Sequence, residues 1–506
     1  MGIQAKYLRI LVFCMAIAIV SCKKQLDVNL HDSNGVGINE LTGKDVFAQA
    51  LATTATNKIG LNIALPSPND NYDYATQWMG YMARTTSFAA SGVQEQYETF
   101  SLNNSFSSGT WQSLYHNIYD YNFVIAHSSA KSILPGASIV VRAMIFQDLV
   151  DQFGNIPYTQ ACQPGLTITP KYDSAIAIYR DLILQLDTAI LSLQSSQSTP
   201  DDAADVMFGA SKSLWIAFAN TIKLRILLRQ VPNGDQSYVS TELTNITTQG
   251  GGYLGAGQDA SIQPGYSDLS SLSQNPFWAD YGFLPNGGGP NQNYNFFIAN
   301  QLMVNFLDST ADPRLGYFYT KNGNGTYGGN FFGSALTQVS GLSSIGTGIL
   351  QSPKMPALIF SASQSYFMQA EAVQRGLLTG NYQTLFKQGV EESFRYLGVT
   401  NAMTAADNFV STSANGLVNL TVSTNALQTI LYQKWVAECE LDGYEAYSDY
   451  RRTGYPFIAT PSYAVPGQAM PKRLLYPESE YTQNVANVNA QNQTASDIYT
   501  KIFWGM

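Results

Sequence analysis

Apolar residues recur every three or four positions through much of this chain, in segments that come in pairs, and no extended-strand architecture satisfies that period. Trp111, Leu114, Tyr115, Ile118 and Tyr121 to Val124 mark one such face. Met144, Ile145, Leu149 and Phe153 mark the next, which Gly154 caps and Pro157 stops. Residues 172–193 place Ile176, Tyr179, Ile183, Leu186 and Ile190 at the same spacing, and Ser211 to Arg229 place Leu214, Trp215, Phe218, Ile222 and Leu228. Ser363 to Leu378 pairs with Tyr382 to Leu397. Leu427, Ile430, Leu431 and Trp435 open a last pair, split by Asp442-Gly443 from the aromatic run Tyr444 to Arg452. Helix pairs of roughly 35–45 residues that bury their apolar stripes against their neighbours are the tetratricopeptide-like unit. Four units are predicted, at 111–153, 172–229, 363–397 and 425–452. Further helices are expected from Thr42, through Val46, Ala50 and Leu51, and from Tyr72 to Arg84. Trp111, Trp215 and Trp435 fall on apolar faces and are expected in the core. The fold class is all-α dominated, a scaffold of helix pairs with long loop-rich insertions.

The period lapses between Pro232 and Met355. Gly250 to Gly252, Gly287 to Gly289 and Gly328-Gly329 punctuate a Tyr- and Asn-rich stretch in which only Asn293 to Asp308 reads as a helix. Loops on a rigid scaffold are where binding residues concentrate. These glycines form neither G-x-G-x-x-G nor a Walker sequence with its lysine, so no phosphate cradle is expected.

Chemistry narrows further. Charged residues make up 12% of the chain, about half the usual share, with a net charge of −9 and no run of Lys or Arg beyond isolated pairs. Nucleic acid is excluded as a partner on that balance. There is no C-x-x-C, H-E-x-x-H or nucleophile elbow, and His31, His116 and His127 lack metal-ligand spacing. Asp148 and Asp151 lie one turn apart but read as an exposed helix face, and Glu371 with Arg375, or Glu392 with Arg395, as ion pairs. No enzyme is expected. No metal site or cofactor is specified, and whether calcium is held stays open. Cys162 and Cys439 stand far apart in sequence, and Cys439 reads as a buried thiol.

The N-terminus sets the compartment. Lys6 and Arg9 precede an apolar stretch, Ile10 to Val20, too short to span a bilayer. Ile19-Val20-Ser21-Cys22 follows and resembles a bacterial lipoprotein signal, which implies residues 1–21 as signal peptide, acylation of Cys22 and stable anchoring by several acyl chains. Residues 22–40 read as a lipidated tether and 41–506 as one helical domain, with its loop-rich insertion at about 232–355.

Neutral saccharides are held by aromatic faces stacking on sugar C–H groups, with amides and carboxylates reading hydroxyls. Three segments carry that mixture: Asn69 to Tyr74, Phe277 to Tyr281, and Asn291 to Asn295. The candidate ligand residues are Tyr72, Tyr74, Trp278, Asp280, Tyr281 and Tyr294.

Gln433 to Pro456, with Met470 to Tyr481 after it and the helix Val141 to Tyr158 ending in F-G-N-I-P, resembles the signature of the SusD/RagB-like outer-membrane lipoproteins, in the SusD-like branch. The resemblance implies an outer-membrane protein of Bacteroidetes, lipid-anchored and facing the cell exterior. It implies capture of oligosaccharides, or in some branches peptides, and their delivery as a hinged lid to a TonB-dependent, SusC-like transporter. A scaffold that binds only the transporter is the remaining alternative. Lys23-Lys24 stand where some relatives carry acids that favour export to the surface. Arg142, Arg451, Arg452 and Arg473 are expected to satisfy buried carboxylates and carbonyls.

Overall fold

A computed structural model describes residues 40–58, 72–106, 108–163, 167–335, 340–457 and 462–506. The expected signal sequence, Cys22, the tether up to residue 39 and Asn69 to Asn71 lie outside them. Among the described residues no helix is long and apolar enough to cross a membrane.

Most of the periodic segments are helices, with ends set by local chemistry. They are α1 (Gly43–Lys58), α2 (Asp73–Trp78), α3 (Ser108–His127), α4 (Leu134–Phe153), α5 (Ala175–Ser195), α6 (Lys212–Gln230) and α7 (Gln236–Gln249). Then come α8 (Pro276–Tyr281), α9 (Gln292–Phe296), α10 (Gln301–Ser309), α11 (Ala362–Gln374), α12 (Tyr382–Tyr396), α13 (Ala402–Thr412), α14 (Ala426–Ala437) and α15 (Gly443–Thr453). Side-chain oxygens of Ser361, Asn381 and Asp442 accept the orphan amides of Gln364, Thr384 and Glu445 at 3.0, 2.9 and 3.1 Å, capping α11, α12 and α15. Gly154 ends α4 at φ +79°, its N–H donating to Val150 O at 2.8 Å.

The helices stack in sequence. α1 packs on α3, α3 on α4, α4 on α5 and α5 on α6, and α6 meets α11. A second stack places α11 against α12 and α14, with α13 on α12. This is a tetratricopeptide-like scaffold, but the fourth expected unit is not a true pair: α14 packs chiefly on α11, and α15 on α2. Trp215 and Trp435 are buried as expected, and so is Trp111. Ile176 is not: it points outward from α5, whose core face is Ile178, Tyr179, Leu182, Ile183, Leu186 and Ile190.

Among the described residues strands are few, in three antiparallel pairs: β1 (Met82–Arg84) with β5 (Phe297–Ala299), β2 (Ile156–Pro157) with β3 (Tyr172–Asp173), and β4 (Ala260–Ile262) with β6 (Ala357–Phe360). The first pair corrects two expectations. The helix read over Tyr72 to Arg84 stops at Trp78, and the one read over Asn293 to Asp308 is interrupted by β5. A short continuous apolar run such as Phe296 to Ala299 fits a buried strand as well as a helix, and pairing decides. The segment 232–355 is also less loop-like than its glycines suggest. In α7, Val239, Leu243 and Ile246 are buried against α6, a sparse stripe hidden by Ser and Thr.

The two stacks meet over a buried ionic network. Arg229 Nε donates to Asp151 Oδ2 at 2.8 Å and its Nη2 to Glu445 Oε2 at 2.6 Å. Arg225 pairs with Asp148 at 3.4 Å. Lys434 Nζ lies 2.8 Å from Glu445, 2.6 Å from Asp449 and 3.4 Å from Glu438. Arg452 clasps Glu371 at 2.5 and 2.8 Å, and Arg375 meets the same carboxylate at 2.8 Å. Asp148 and Asp151 are therefore buried ion-pair members, not an exposed face. Asp151 also accepts from Tyr179 Oη and from Trp504 Nε1. Of the arginines expected to satisfy buried groups, Arg451 donates to the carbonyls of Asp151 and Lys472, and Arg473 to that of Phe153. Arg142 serves amides instead, those of Asn122 and Gln185.

Candidate functional site

The loop-rich segment 265–296 carries a group of half-exposed aromatic rings, and two asparagine caps position it. Asn275 Oδ1 accepts the Trp278 N–H at 3.1 Å and starts α8, while its Nδ2 ties the turn to Met355 O at 3.0 Å. Asn291 Oδ1 accepts the Tyr294 N–H at 2.9 Å and starts α9, while its Nδ2 reaches Ala279 O at 2.9 Å. Between the two helices the chain folds back on itself, Asn291 N–H donating to Gly282 O and Leu284 N–H to Gly289 O, both at 3.0 Å.

That frame brings three rings together. Trp278 and Phe283 lie 5.7 Å apart at 43°, and Phe283 and Tyr294 lie 4.9 Å apart at 44°. Trp278 Nε1 donates to Phe283 O at 3.2 Å, which locks the indole. Gly282 permits this arrangement: a Cβ there would lie 2.7 Å from Trp278 O and 3.1 Å from the indole Cδ2. All three rings are partly exposed. Leu269, Leu272 and Leu284 stand exposed on the same segment. Phe88, exposed and 5.2 Å from Phe296, continues the aromatic surface beyond Tyr294. Phe283 and Phe88 were not singled out from the sequence. Phe283 lies two residues beyond Tyr281 in the same aromatic string, and that proximity was the available signal.

Asp280 sits beside the rings. Asn293 Nδ2 donates to its Oδ1 at 2.8 Å, and its Oδ2 has no hydrogen-bond partner. Burial pushes this carboxyl up to about 6, against the opposing effect of Asn293 and Tyr281. The arrangement can stack a neutral ring and offers a carboxyl next to it. It holds no nucleophile–base pair.

Tyr72, Tyr74 and Tyr281 are placed differently from expectation: all three are in the core and present no ring face to solvent. Tyr72 stacks on Tyr444 at 5.0 Å and receives a hydrogen bond from Gln152 at 3.2 Å. Tyr74 is enclosed by Trp78, Phe106 and Tyr447, at 4.9, 5.5 and 6.2 Å. Tyr281 is 3% exposed, and its hydroxyl donates to the Asp73 carboxylate. For Tyr72 and Tyr74 the cause is α15, whose Tyr444 and Tyr447 pack on them, and for Tyr281 it is the contact with Phe277, Phe297 and Asp73. Tyr72 and Tyr281 both line a narrow cleft instead, together with Lys58, Asp73, Glu440 and Asp442.

Among the described residues one group of acids has metal-like spacing: Glu438, Glu445 and Asp449, all buried. The Lys434 ammonium already stands among them, bonded to each. Cys162 and Cys439 are free thiols.

Comparison with known proteins follows from this architecture. The family model for SusD-like proteins, described as starch-binding and associating with the outer membrane, matches residues 41–477. A chitin-binding SusD homolog from Flavobacterium johnsoniae superposes with a TM-score of 0.72 at 23% identity, over 90% of this chain and 98% of that one. A SusD-like protein from Bacteroides thetaiotaomicron gives a TM-score of 0.70 at 23% identity, over 91% and 99%. A SusD homolog from Bacteroides fragilis gives 0.72 at 20% identity, over 92% and 99%. No curated protein matches the sequence.

Proposed function

Because the chain belongs to the SusD-like family of starch-binding proteins that associate with the outer membrane, we propose that it captures neutral nutrient oligosaccharides on the shelf formed by Trp278, Phe283 and Tyr294. The observation that carries this reading is the shelf itself: three partly exposed rings, the indole held by its hydrogen bond, beside amide groups in a chain with little charge. Stacking on sugar C–H faces needs such rings fixed in advance, since each ring ordered on binding would cost part of the affinity gained. Tyr72, Tyr74 and Tyr281 serve by packing α2 and α8 in place rather than by touching the ligand. The protein acts by binding, not by catalysis. In the same reading it is anchored through acylated Cys22, faces the cell exterior and delivers its ligand as a lid to a TonB-dependent, SusC-like transporter.

Native mass spectrometry of the chain with starch-derived and chitin-derived oligosaccharides, and with peptides, tests the reading. Trp278→Ala and Tyr294→Ala should each weaken oligosaccharide binding about tenfold or more, a loss of about 1.4 kcal/mol. Binding unchanged in both variants removes the shelf as the site. Binding of peptides alone replaces the glycan reading with peptide capture.

A further inference from the structure

A second pocket is built from residues remote in sequence from the shelf. Asn104, Leu475, Tyr481, Gln493, Thr494 and Ala495 line a cavity of about 180 Å³. Cavities for drug-sized ligands run to about 300–1,000 Å³, so this one suits a single small ring rather than a chain.

Its walls are fixed by hydrogen bonds behind them. Asn104 Nδ2 donates to Tyr476 O at 2.7 Å, and Gln493 Oε1 accepts the Tyr476 N–H at 2.7 Å. One backbone residue thus orients both amides. The bond to Oε1 also fixes which way the Gln493 amide points; its Nε2 is buried and has no partner among the described residues. Thr494 is held by Asp497, whose carboxylate accepts its N–H at 2.6 Å and its hydroxyl at 3.1 Å. Tyr481, on the short helix Glu478–Gln483, is half-exposed and supplies the only aromatic ring of the lining.

No lining residue carries a carboxylate, ammonium or guanidinium group. The charges closest to it, Arg473 and Asp497, are of opposite sign and both act on Tyr481, so neither anions nor cations are favoured, and Leu475 with Ala495 offers too little apolar surface for a lipid chain. What remains is an aromatic platform with two oriented amides and a hydroxyl. We propose that this pocket is a second saccharide site that holds a single neutral sugar ring independently of the shelf. The glycan reading above supplies the class of ligand; the site rests on this geometry.

Ligand-observed NMR on the full chain, carrying Cys22→Ser to prevent acylation, tests it with glucose and N-acetylglucosamine as probes. Monosaccharide binding is expected to survive Trp278→Ala, which strips the shelf. It should weaken about tenfold or more in Tyr481→Ala and in Gln493→Leu, and stay near the starting value in Tyr481→Phe, which keeps the ring face. Melting curves show whether each variant is folded. Unchanged monosaccharide affinity in folded Tyr481→Ala and Gln493→Leu overturns the site. So does absence of monosaccharide binding by the unsubstituted pocket. If oligosaccharides still bind in either case, the shelf stands and only the second site falls; if no saccharide binds, both fall.

Discussion

Glu440 stands in the turn between α14 and α15 with φ +62°, a left-handed conformation unusual for a residue with a long side chain. It is 5% exposed, and neither carboxyl oxygen has a hydrogen-bond partner. Burial, reinforced by the nearby Asp73 charge, pushes the carboxyl up to about 8. The group therefore keeps its proton in the folded chain while the unfolded chain releases it above about 4.3. Stability falls as pH rises between those two values and is level beyond them, a cost of about 3 kcal/mol at pH 7. Glu440→Gln cannot ionise. Its melting temperature should equal that of the unsubstituted protein near pH 4.5 and exceed it by several degrees at pH 8. Parallel melting curves across that range would refute the assignment. The sequence names this residue but not its state. The same holds for Tyr72, Tyr74 and Tyr281: residue type marked them as able to stack on a ligand, and only tertiary packing, on α15 for the first two and on Phe277, Phe297 and Asp73 for Tyr281, determined that they stack on the protein. Trp278 and Tyr294, on short capped helices outside the two stacks, kept the partial exposure that stacking on a ligand would need.

Elements were legible where a long apolar stripe ran uninterrupted, as in α3 to α6 and in α11 and α12. They were illegible where one buried contact overrode a weak pattern. The α7 stripe has three apolar positions in fourteen residues, and β1 and β5 are three-residue strands that exist because they pair. The turn at Asp442-Gly443 was read correctly as a break, but its reason is tertiary. A Cβ on Gly443 would stand 2.5 Å from Thr76 Oγ1 and 2.7 Å from Thr76 Cα, so the start of α15 can rest on α2 only without a side chain. Gly443→Ala should destabilise the protein by about 1–3 kcal/mol, the usual range for overpacking. Denaturant titration measures it. Adding Thr76→Ala should not restore the loss, because the Thr76 Cα and N, at 2.7 and 2.8 Å, obstruct as closely as the hydroxyl. Full recovery in the double variant would show the obstruction to be the hydroxyl alone.

At the scale of the molecule, the two helix stacks are joined by charges, and that gives stability an unusual dependence on pH. Burial alone would raise Glu371, but Arg452 and Arg375 outweigh it and hold the carboxyl at about 2. Glu445 is likewise held well below the carboxylate range by Arg229, Lys434 and Arg225 against its burial. These groups bind fewer protons folded than unfolded. Their contribution is complete above about pH 4.5 and is lost as pH falls toward 2. Asp148 and Asp280, both raised by burial to about 6, act in the opposite sense together with Glu440, and cost stability as pH rises above about 4. The two trends cross, so stability should peak near pH 4 and decline toward both pH 2 and pH 8, rather than stay level through neutrality. Breaking one pair separates the limbs. Arg452→Met leaves Glu371 buried with only Arg375, at its exposed edge, as a close partner, at a cost of about 3–5 kcal/mol near the optimum. It should also flatten the acid limb, because Glu371 then holds its proton in the folded state as well. Urea midpoints at successive pH values would show both effects. An Arg452→Met curve parallel to that of the unsubstituted protein below pH 5 would mean that Glu371 does not govern the acid limb, and that the clasp between α11 and α15 contributes by packing rather than by charge.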